Sequence, residues 1–126
     1  MSEDVTDRGQ QLLSPAGLAI EELTDGEGRT LRLSGELDLS SGGVLEAAIR
    51  TCATETACAI TLDLGGLTFL DTSGLWAILA VRRWCQAHGH GLALLPGPEQ
   101  IQSVFEITGL SDVLPFVDTA PARFVG

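Results

Sequence analysis

The sequence predicts an α/β fold: a mixed β-sheet of four to five strands that opens with a hairpin and is packed with helices. Two strand-like runs, residues 18–23 and 29–37, flank a short Gly- and Asp-rich segment that is typical of a tight reversal. Beyond residue 40, stretches with helical periodicity alternate with short apolar runs. Such alternation indicates parallel strands, because each helix carries the chain back along the sheet.

The opening segment and the hairpin are predicted from polarity and alternation. Residues 1–17 are mostly polar and are predicted to be a flexible lead-in. In the second strand of the hairpin, Leu31, Leu33 and Leu37 alternate with polar or charged residues. We therefore expect one face of this strand to be buried and the other to be solvated.

The middle of the chain predicts a helix, a strand and a second helix. Ser40 or Ser41 offers an N-cap to the first helix, since apolar residues recur at helical spacing directly after it. The strand is predicted over residues 59–64, and the two glycines at 65–66 are interpreted as the turn that ends it. A short apolar piece then leads to the second helix, predicted over residues 75–87.

The last third of the chain predicts a short buried strand, a helix and an edge strand. Pro98 is suited to the first position of the helix, and Gly109 is suited to its end. Residues 113–117 are predicted as the edge strand, because the proline within them cannot donate to a central ladder. One domain is therefore expected over residues 18–117, followed by a short tail at 118–126.

Composition excludes several classes of partner. The 126 residues carry 17 Asp and Glu against seven Arg and no Lys, which gives a net charge of −10. Nucleic acids and anionic membranes are bound through basic side chains, so neither is an expected partner. A basic protein partner fits this charge, and so does simple solubility. The absence of a signal-like or membrane-spanning apolar run predicts a soluble cytoplasmic protein.

No cofactor or metal site is expected from the cysteines and histidines. Cys52, Cys58 and Cys85 lack the spacing of metal ligands and are predicted to be free, mostly buried thiols in a reducing compartment. His88 and His90 flank a glycine without acidic neighbours in sequence, and are predicted to lie in a solvated turn rather than to bind a metal.

The segment Asp71-Thr72-Ser73-Gly74-Leu75 is the most informative motif. It lies where a strand-like run has ended and a helix begins, so two hydroxyls fall on the first helical turn. One interpretation is that Asp71 or Thr72 is only an N-cap. The other is that a hydroxyl here carries a phosphoryl group, which unpaired backbone N–H groups and the helix dipole stabilise.

Catalytic motifs are missing from the sequence, which predicts that the protein is not an enzyme. Ser73 has no glycine two positions before it, so the motif is not a nucleophile elbow. Without lysine, neither a Walker-type phosphate loop nor a receiver domain with Asp71 as phosphoacceptor is complete. Glu36 and Asp38 share a face if their strand is regular. Three interpretations of this pair stay open. The two carboxylates bind a cation or act as acid and base, or they contact a partner. In the third, Asp38 caps the following turn while Glu36 is solvated.

Three segments resemble the STAS domains of anti-sigma-factor antagonists. Residues 33–38 resemble the Gly-Glu-Leu-Asp signature of that family, and residues 71–75 resemble its Asp-Ser-Ser-Gly-Leu phosphorylation segment. Residues 104–110 resemble a later segment, in which an apolar helix ends in Gly-Leu. The resemblance spans about residues 18–117, and it implies a STAS-like fold.

The resemblance implies a binding protein that works by partner switching. The unmodified antagonist would bind an anti-sigma factor that is a serine/threonine kinase, which frees the sigma factor. The kinase would then phosphorylate Thr72, with Ser73 as second candidate, and a metal-dependent serine/threonine phosphatase would reverse the modification. The free protein is expected to be monomeric. The residues expected to bind the partner are Glu36, Asp38, Asp71, Gly74, Leu75 and Trp76.

The chain also departs from the family. Thr72 replaces the commoner serine, Trp76 stands where many relatives have a small residue, and the C-terminus is short. Trp76 lies off the apolar stripe of its helix and is either an exposed partner anchor or a ring packed on a neighbouring loop. Two other functions stay open. One is a STAS adaptor subunit of a transport ATPase or stress-signalling complex without phosphorylation control, and the other is a phosphotransfer or nucleotide-binding protein.

Overall fold

The computed structural model describes residues 11–13, 17–25, 28–53 and 58–118. Within them the chain forms five strands, three α-helices and one 3-10 turn. The strands are β1 (Gln11–Leu13), β2 (Leu18–Asp25), β3 (Gly28–Leu37), β4 (Ala59–Leu70) and β5 (Gly91–Leu95). The helices are α1 (Gly42–Cys52), α2 (Thr72–Ala87) and α3 (Glu99–Ile107), and the 3-10 turn is Leu110–Asp112.

The strands form one mixed sheet in the order β1-β2-β3-β4-β5. The pairs β1–β2 and β2–β3 are antiparallel, while β3–β4 and β4–β5 are parallel. Asp25 pairs with Gly28, so the expected hairpin is confirmed. The crossovers through α1 and α2 run in the same direction along the sheet. The right-handed rule therefore places both helices on one face.

A single apolar core lies between the sheet and the helices. Leu31, Leu33 and Leu37 of β3 are buried as their alternation predicted. The helices α1 and α2 approach each other closely, since a Cβ at Gly42 would lie 3.2 Å from the Cβ of Ala77. No helix of the described residues is both long and apolar enough to cross a membrane.

The expected turn at residues 65–66 is wrong, because β4 runs through both glycines without a break. The register of the β3–β4 pairing shifts between Arg32 and Ser34, opposite this position. A Cβ at Gly66 would come within 2.8 Å of the Leu33 carbonyl oxygen, so the glycine permits a close approach of the two backbones. The two glycines thus mark an irregularity inside a long strand.

The expected edge strand at residues 113–117 is also wrong. After the 3-10 turn the chain makes one isolated parallel bridge, between Phe116 and Leu94. The Leu94 N–H donates to the Pro115 carbonyl at 3.0 Å, and the Val117 N–H donates to the Leu94 carbonyl at 2.9 Å. Because proline has no N–H to extend the ladder, the contact ends after one residue.

Smaller corrections concern the two ends of the domain. Gln11–Leu13, which was expected within the flexible lead-in, pairs with β2 because strand β2 has a free edge there. Pro98 caps α3 and precedes its first helical residue. Gly109 has a φ of 80°, a left-handed conformation that glycine adopts easily, and it ends the helical region as expected.

Candidate functional site

The carboxyl ends of β3 and β4 bring the two acidic segments of the sequence together. Leu37 at the end of β3 pairs with Leu70 at the end of β4, and α1 and α2 start just beyond them. The Asp71 N–H lies 3.5 Å from the Leu37 carbonyl oxygen. The turn after Leu37 and the start of α2 are therefore adjacent, although about 33 residues separate them in sequence.

Asp71 provides the N-cap of α2. Its backbone is extended, and its Oδ1 accepts a hydrogen bond of 2.9 Å from the N–H of Gly74. This is the usual N-cap geometry, in which the carboxylate satisfies a helix N–H that has no internal partner. Of the two residues considered for the cap, Asp71 performs that role and leaves Thr72 to begin the helix.

Thr72 therefore presents a free hydroxyl on the first turn of α2. Its side chain is exposed and makes no hydrogen bond within the described residues, whereas Ser73 is half-buried. The N–H groups of Thr72 and Ser73 also have no partner among these residues. Together with the helix dipole they stabilise negative charge, so this helix start is compatible with a phosphoryl group on Thr72.

The turn after β3 is organised by Asp38. Its Oδ1 accepts from the Ser40 Oγ at 2.8 Å, from the Ser40 N–H at 3.0 Å and from the Ser41 Oγ at 3.2 Å. These hydrogen bonds, led by that of the Ser40 side chain, lower the pKa of Asp38 against an opposing effect of burial. Asp38 thus holds the turn, which was one of the alternatives for this residue. Glu36 is exposed, and its N–H donates to the Gly17 carbonyl at 3.1 Å.

No metal centre accompanies these carboxylates. Across the ranges described above, no group of three or more His, Cys, Asp or Glu side chains could hold a metal ion. The thiols of Cys52, Cys58 and Cys85 are free, and Cys58 and Cys85 are buried, as expected. The expected solvated turn at His88 and His90 is half wrong, because His88 is exposed but His90 is buried.

Three exposed apolar side chains lie on the segments that meet at the start of α2. Leu39 is 83% exposed, Trp76 is 65% exposed and Phe69 is 48% exposed, which are high values for large apolar residues. Sequence reasoning missed Leu39 and Phe69, although an apolar residue in the serine-rich turn after Asp38 was a usable signal. Trp76 is largely exposed, which favours the partner anchor over the alternative of a ring packed on a neighbouring loop.

A groove of about 460 Å³ runs between the starts of α1 and α2, and none of its lining residues is basic. We call the groove and its neighbours Phe69, Asp71 and Thr72 the Thr72 surface. The groove is lined by Asp38, Leu39, Gly42, Gly43, Glu46, Ser73, Trp76, Ala77 and Ala80.

Gly74 and Leu75 lie beneath the Thr72 surface. Both are buried, and a Cβ at Gly74 would lie only 2.3 Å from the Leu37 carbonyl oxygen. Only a glycine lets α2 start so close to the end of β3. These two residues therefore fix the position of Thr72 relative to the Asp38 turn.

The fold and this site define the class of protein. The family described as "Mlab, STAS domain" matches residues 20–117. The chain belongs to the STAS domain family, which confirms the resemblance of the three segments.

Its relatives include antagonists of anti-sigma factors. The anti-sigma-B factor antagonist of Staphylococcus epidermidis is 26% identical over 97 residues, which cover 77% of this chain and 90% of the relative. That of Staphylococcus aureus (strain NCTC 8325 / PS 47) has the same identity and coverage. These proteins are similar to the chain along nearly their whole length.

Solved structures agree with this relationship. The anti-sigma factor antagonist SpoIIAA in its unphosphorylated form is 26% identical and has a TM-score of 0.63, with coverage of 79% of this chain and 87% of that one. The phosphorylated form of SpoIIAA from Bacillus has 25% identity, a TM-score of 0.58 and coverage of 78% and 90%. An antagonist from Mycobacterium paratuberculosis, at 22% identity, shares the fold with a TM-score of 0.71, over 86% of this chain and 92% of its own.

Proposed function

We propose that the chain is an anti-sigma factor antagonist. It binds an anti-sigma factor kinase while Thr72 is unmodified, which frees a sigma factor for transcription, and phosphorylation of Thr72 ends the complex. The observation that carries this proposal is the exposed, unbonded Thr72 hydroxyl on the first turn of α2, next to an apolar groove. Antagonist relatives along the whole domain support the assignment.

The apolar residues of the Thr72 surface supply the binding energy. Burying a large apolar side chain stabilises a complex by about 1.5–3 kcal/mol, and tryptophan is enriched among the residues that dominate interfaces. Leu39 and Trp76 are exposed on both sides of the groove, so one partner segment can bury both. Asp38, Glu46 and Asp71 favour a partner with basic side chains at the rim.

Phosphorylation acts through local charge. The kinase transfers the γ-phosphoryl group of ATP to the Thr72 oxygen, ADP leaves and the hydroxyl proton passes to solvent. The product adds about −1.5 to −2 charges beside Asp38 and Asp71. The free N–H groups of the first turn stabilise the phosphate without a change of fold, so its effect is repulsion and desolvation at the interface. Ser73 is the second candidate acceptor, and its half-buried side chain makes it less accessible.

The other components follow from this scheme. This chain provides the acceptor and the binding surface, and catalysis belongs to the kinase. A metal-dependent serine/threonine phosphatase removes the phosphate. The antagonist acts in the cytoplasm as a monomer when free, and it needs no nucleic acid, membrane or cofactor.

The test is a pull-down from the source organism's lysate with three baits: wild type, Thr72→Glu and Gln100→Glu. Gln100 lies on the first turn of α3 and is exposed, so its substitution adds the same charge at another helix start. Gly97, just before α3, lies against Leu64 of β4. Leu70, two residues before Thr72, lies six strand residues beyond Leu64 along β4, which is a distance of about 20 Å.

Wild type and Gln100→Glu should retain a kinase with a histidine-kinase-like ATP site, and Thr72→Glu should lose it. The free energy of unfolding of Thr72→Glu should stay within about 0.5 kcal/mol of the wild-type value, since a carboxylate near a helix start is tolerated. The proposal fails if all three baits retain the same partner. A transport ATPase among the retained proteins would instead assign the chain as an adaptor subunit, and micromolar ATP affinity of the isolated chain would indicate a nucleotide-binding protein.

A second variant tests the apolar part of the surface. Trp76→Ala should weaken kinase binding by about thirtyfold, or ~2 kcal/mol, as truncation of an interface tryptophan does. Ile107→Ala is the control, because Ile107 is 84% exposed and lies at the far end of α3. Equal affinity of both variants, measured by calorimetry with the captured kinase, would remove Trp76 from the interface.

A further inference from the structure

A second cavity lies near the other end of α2, away from Thr72. Its volume is about 190 Å³, and it is lined by Arg82, Cys85, Gln86, His90, Leu92 and Pro115. It therefore lies between the last turns of α2, the start of β5 and the chain that follows the 3-10 turn. The proposed partner switch makes no use of this cavity.

The cavity contains a cation, Arg82, that has no partner among the residues that the structure describes. Arg82 is half-buried and Gln86 is exposed, and neither side chain makes a hydrogen bond or ion pair within the described residues. By contrast, Arg29, Arg32 and Arg50 each lie beside a carboxylate. A partly desolvated guanidinium without an acceptor is unfavourable, and none of the lining residues is acidic although the chain has 17 Asp and Glu.

His90 adds a third donor. The Cys58 N–H donates to the His90 Nδ1 at 3.2 Å, so the neutral ring carries its proton on Nε2. The ring is stacked on Trp84, with a centroid distance of 5.3 Å and an interplanar angle of 21°. Burial, and to a smaller extent His88, lowers the pKa of His90, which keeps the ring neutral near pH 7. The Nε2–H is therefore a fixed, neutral donor.

We propose that this cavity binds a small oxyanion, the carboxylate or phosphate group of a metabolite, through the Arg82 guanidinium, the Gln86 carboxamide and the His90 Nε2–H. The cavity volume equals that of roughly six liquid waters, which fits a phosphate or a short carboxylic acid. Arginine suits this ligand because its planar donors match the geometry of both anions. The proposal is independent of the function proposed for Thr72.

Trp84 reports on the cavity because it stacks on His90. The chain has two tryptophans, so Trp76→Phe leaves Trp84 as the single fluorophore. This variant is titrated with sodium phosphate and, separately, with sodium malonate, while sodium chloride keeps the ionic strength constant. We expect a saturable change in emission, and the anion that saturates at the lower concentration identifies the preferred group.

Three further substitutions in the same background decide the assignment. Arg82→Gln should weaken binding at least about tenfold, because a charge-assisted contact is lost. Arg83→Gln makes the same charge change on an exposed neighbour that does not line the cavity, and should bind within about twofold of its parent. Gln86→Glu places a carboxylate in the cavity at an exposed position and should abolish the response even if Arg82→Gln folds poorly. An unsaturable response to both anions, or equal weakening by Arg82→Gln and Arg83→Gln, would overturn the proposal.

Discussion

Replacement of Gly74 by alanine tests the close approach on which the Thr72 surface depends. Alanine favours an ordinary helix position over glycine by about 1 kcal/mol. Here the added Cβ would lie 2.3 Å from the Leu37 carbonyl oxygen and 2.7 Å from the Leu70 Cδ1. A carbon meets a carbonyl oxygen at about 3.3 Å, so the start of α2 must move by about 1 Å.

The two effects can be compared. Overpacking that forces such a backbone shift costs up to about 3 kcal/mol, which exceeds the helical gain. We expect a net loss near 2 kcal/mol in the free energy of unfolding, or a fall in Tm of about 8 °C. Gly43→Ala is the matched control, because a Cβ there meets nothing within 4 Å on the first turn of α1. Gly43→Ala should raise the free energy of unfolding by about 0.5–1 kcal/mol.

Urea titrations of both variants measure these values, with an unchanged m-value as the sign that only stability differs. The displaced helix start should also weaken kinase binding in Gly74→Ala. Equal or greater stability of Gly74→Ala relative to wild type would refute the reasoning, since it would mean that α2 does not start in contact with β3.

Three other predictions concern the cap, the buried histidine and the thiols. Asp71→Ala should lower stability by about 1 kcal/mol in thermal unfolding and Asp71→Asn by less, because asparagine keeps the acceptor for Gly74; equal losses would contradict the capping role. Since the pKa of His90 is lowered, the unfolded chain binds the proton first as the pH falls below about 6.5. The free energy of unfolding should therefore decrease from pH 6.5 to 5 in urea titrations, and a slope that persists in His90→Gln would exclude this origin. Burial is the main cause that raises the pKa of Cys52 to about 12 and that of Cys85 to about 11. Both should react with iodoacetamide at pH 8 more than about a hundredfold more slowly than in guanidinium chloride, and comparable rates in the native protein would show that the thiols are not protected.

Most of the fold could be predicted because its signals are local. Alternating leucines indicate β3, the Gly-rich reversal indicates the hairpin, and helical spacing indicates α1 and α2. The turn predicted at residues 65–66 was wrong because glycine signals both turns and close strand approach. Only the pairing with β3, which is a long-range contact, decides between the two. Residues 113–117 were misassigned for a related reason. A segment of high β-propensity forms a strand only where a neighbouring strand can make a continuous ladder of hydrogen bonds with it.

The site was predicted less completely than the fold. Asp71, Thr72 and Trp76 could be singled out because a motif and a periodicity place them at the start of α2. The exposure of Leu39 and the proximity of its turn to α2 depend on the parallel pairing of β3 and β4, which no local pattern contains. His90 was misplaced for the same reason, since the N–H that binds it belongs to Cys58, 32 residues earlier.

The position of Thr72 in the fold has a consequence for the kinase proposed to modify it. The residue belongs to a regular helix, and the side chains around it come from two segments about 33 residues apart. An isolated peptide with the sequence of residues 66–80 contains the acceptor but neither the helix start nor the Asp38 turn. On the proposed function, we therefore expect the kinase to recognise the folded domain, with a selectivity set by tertiary structure rather than by a linear consensus.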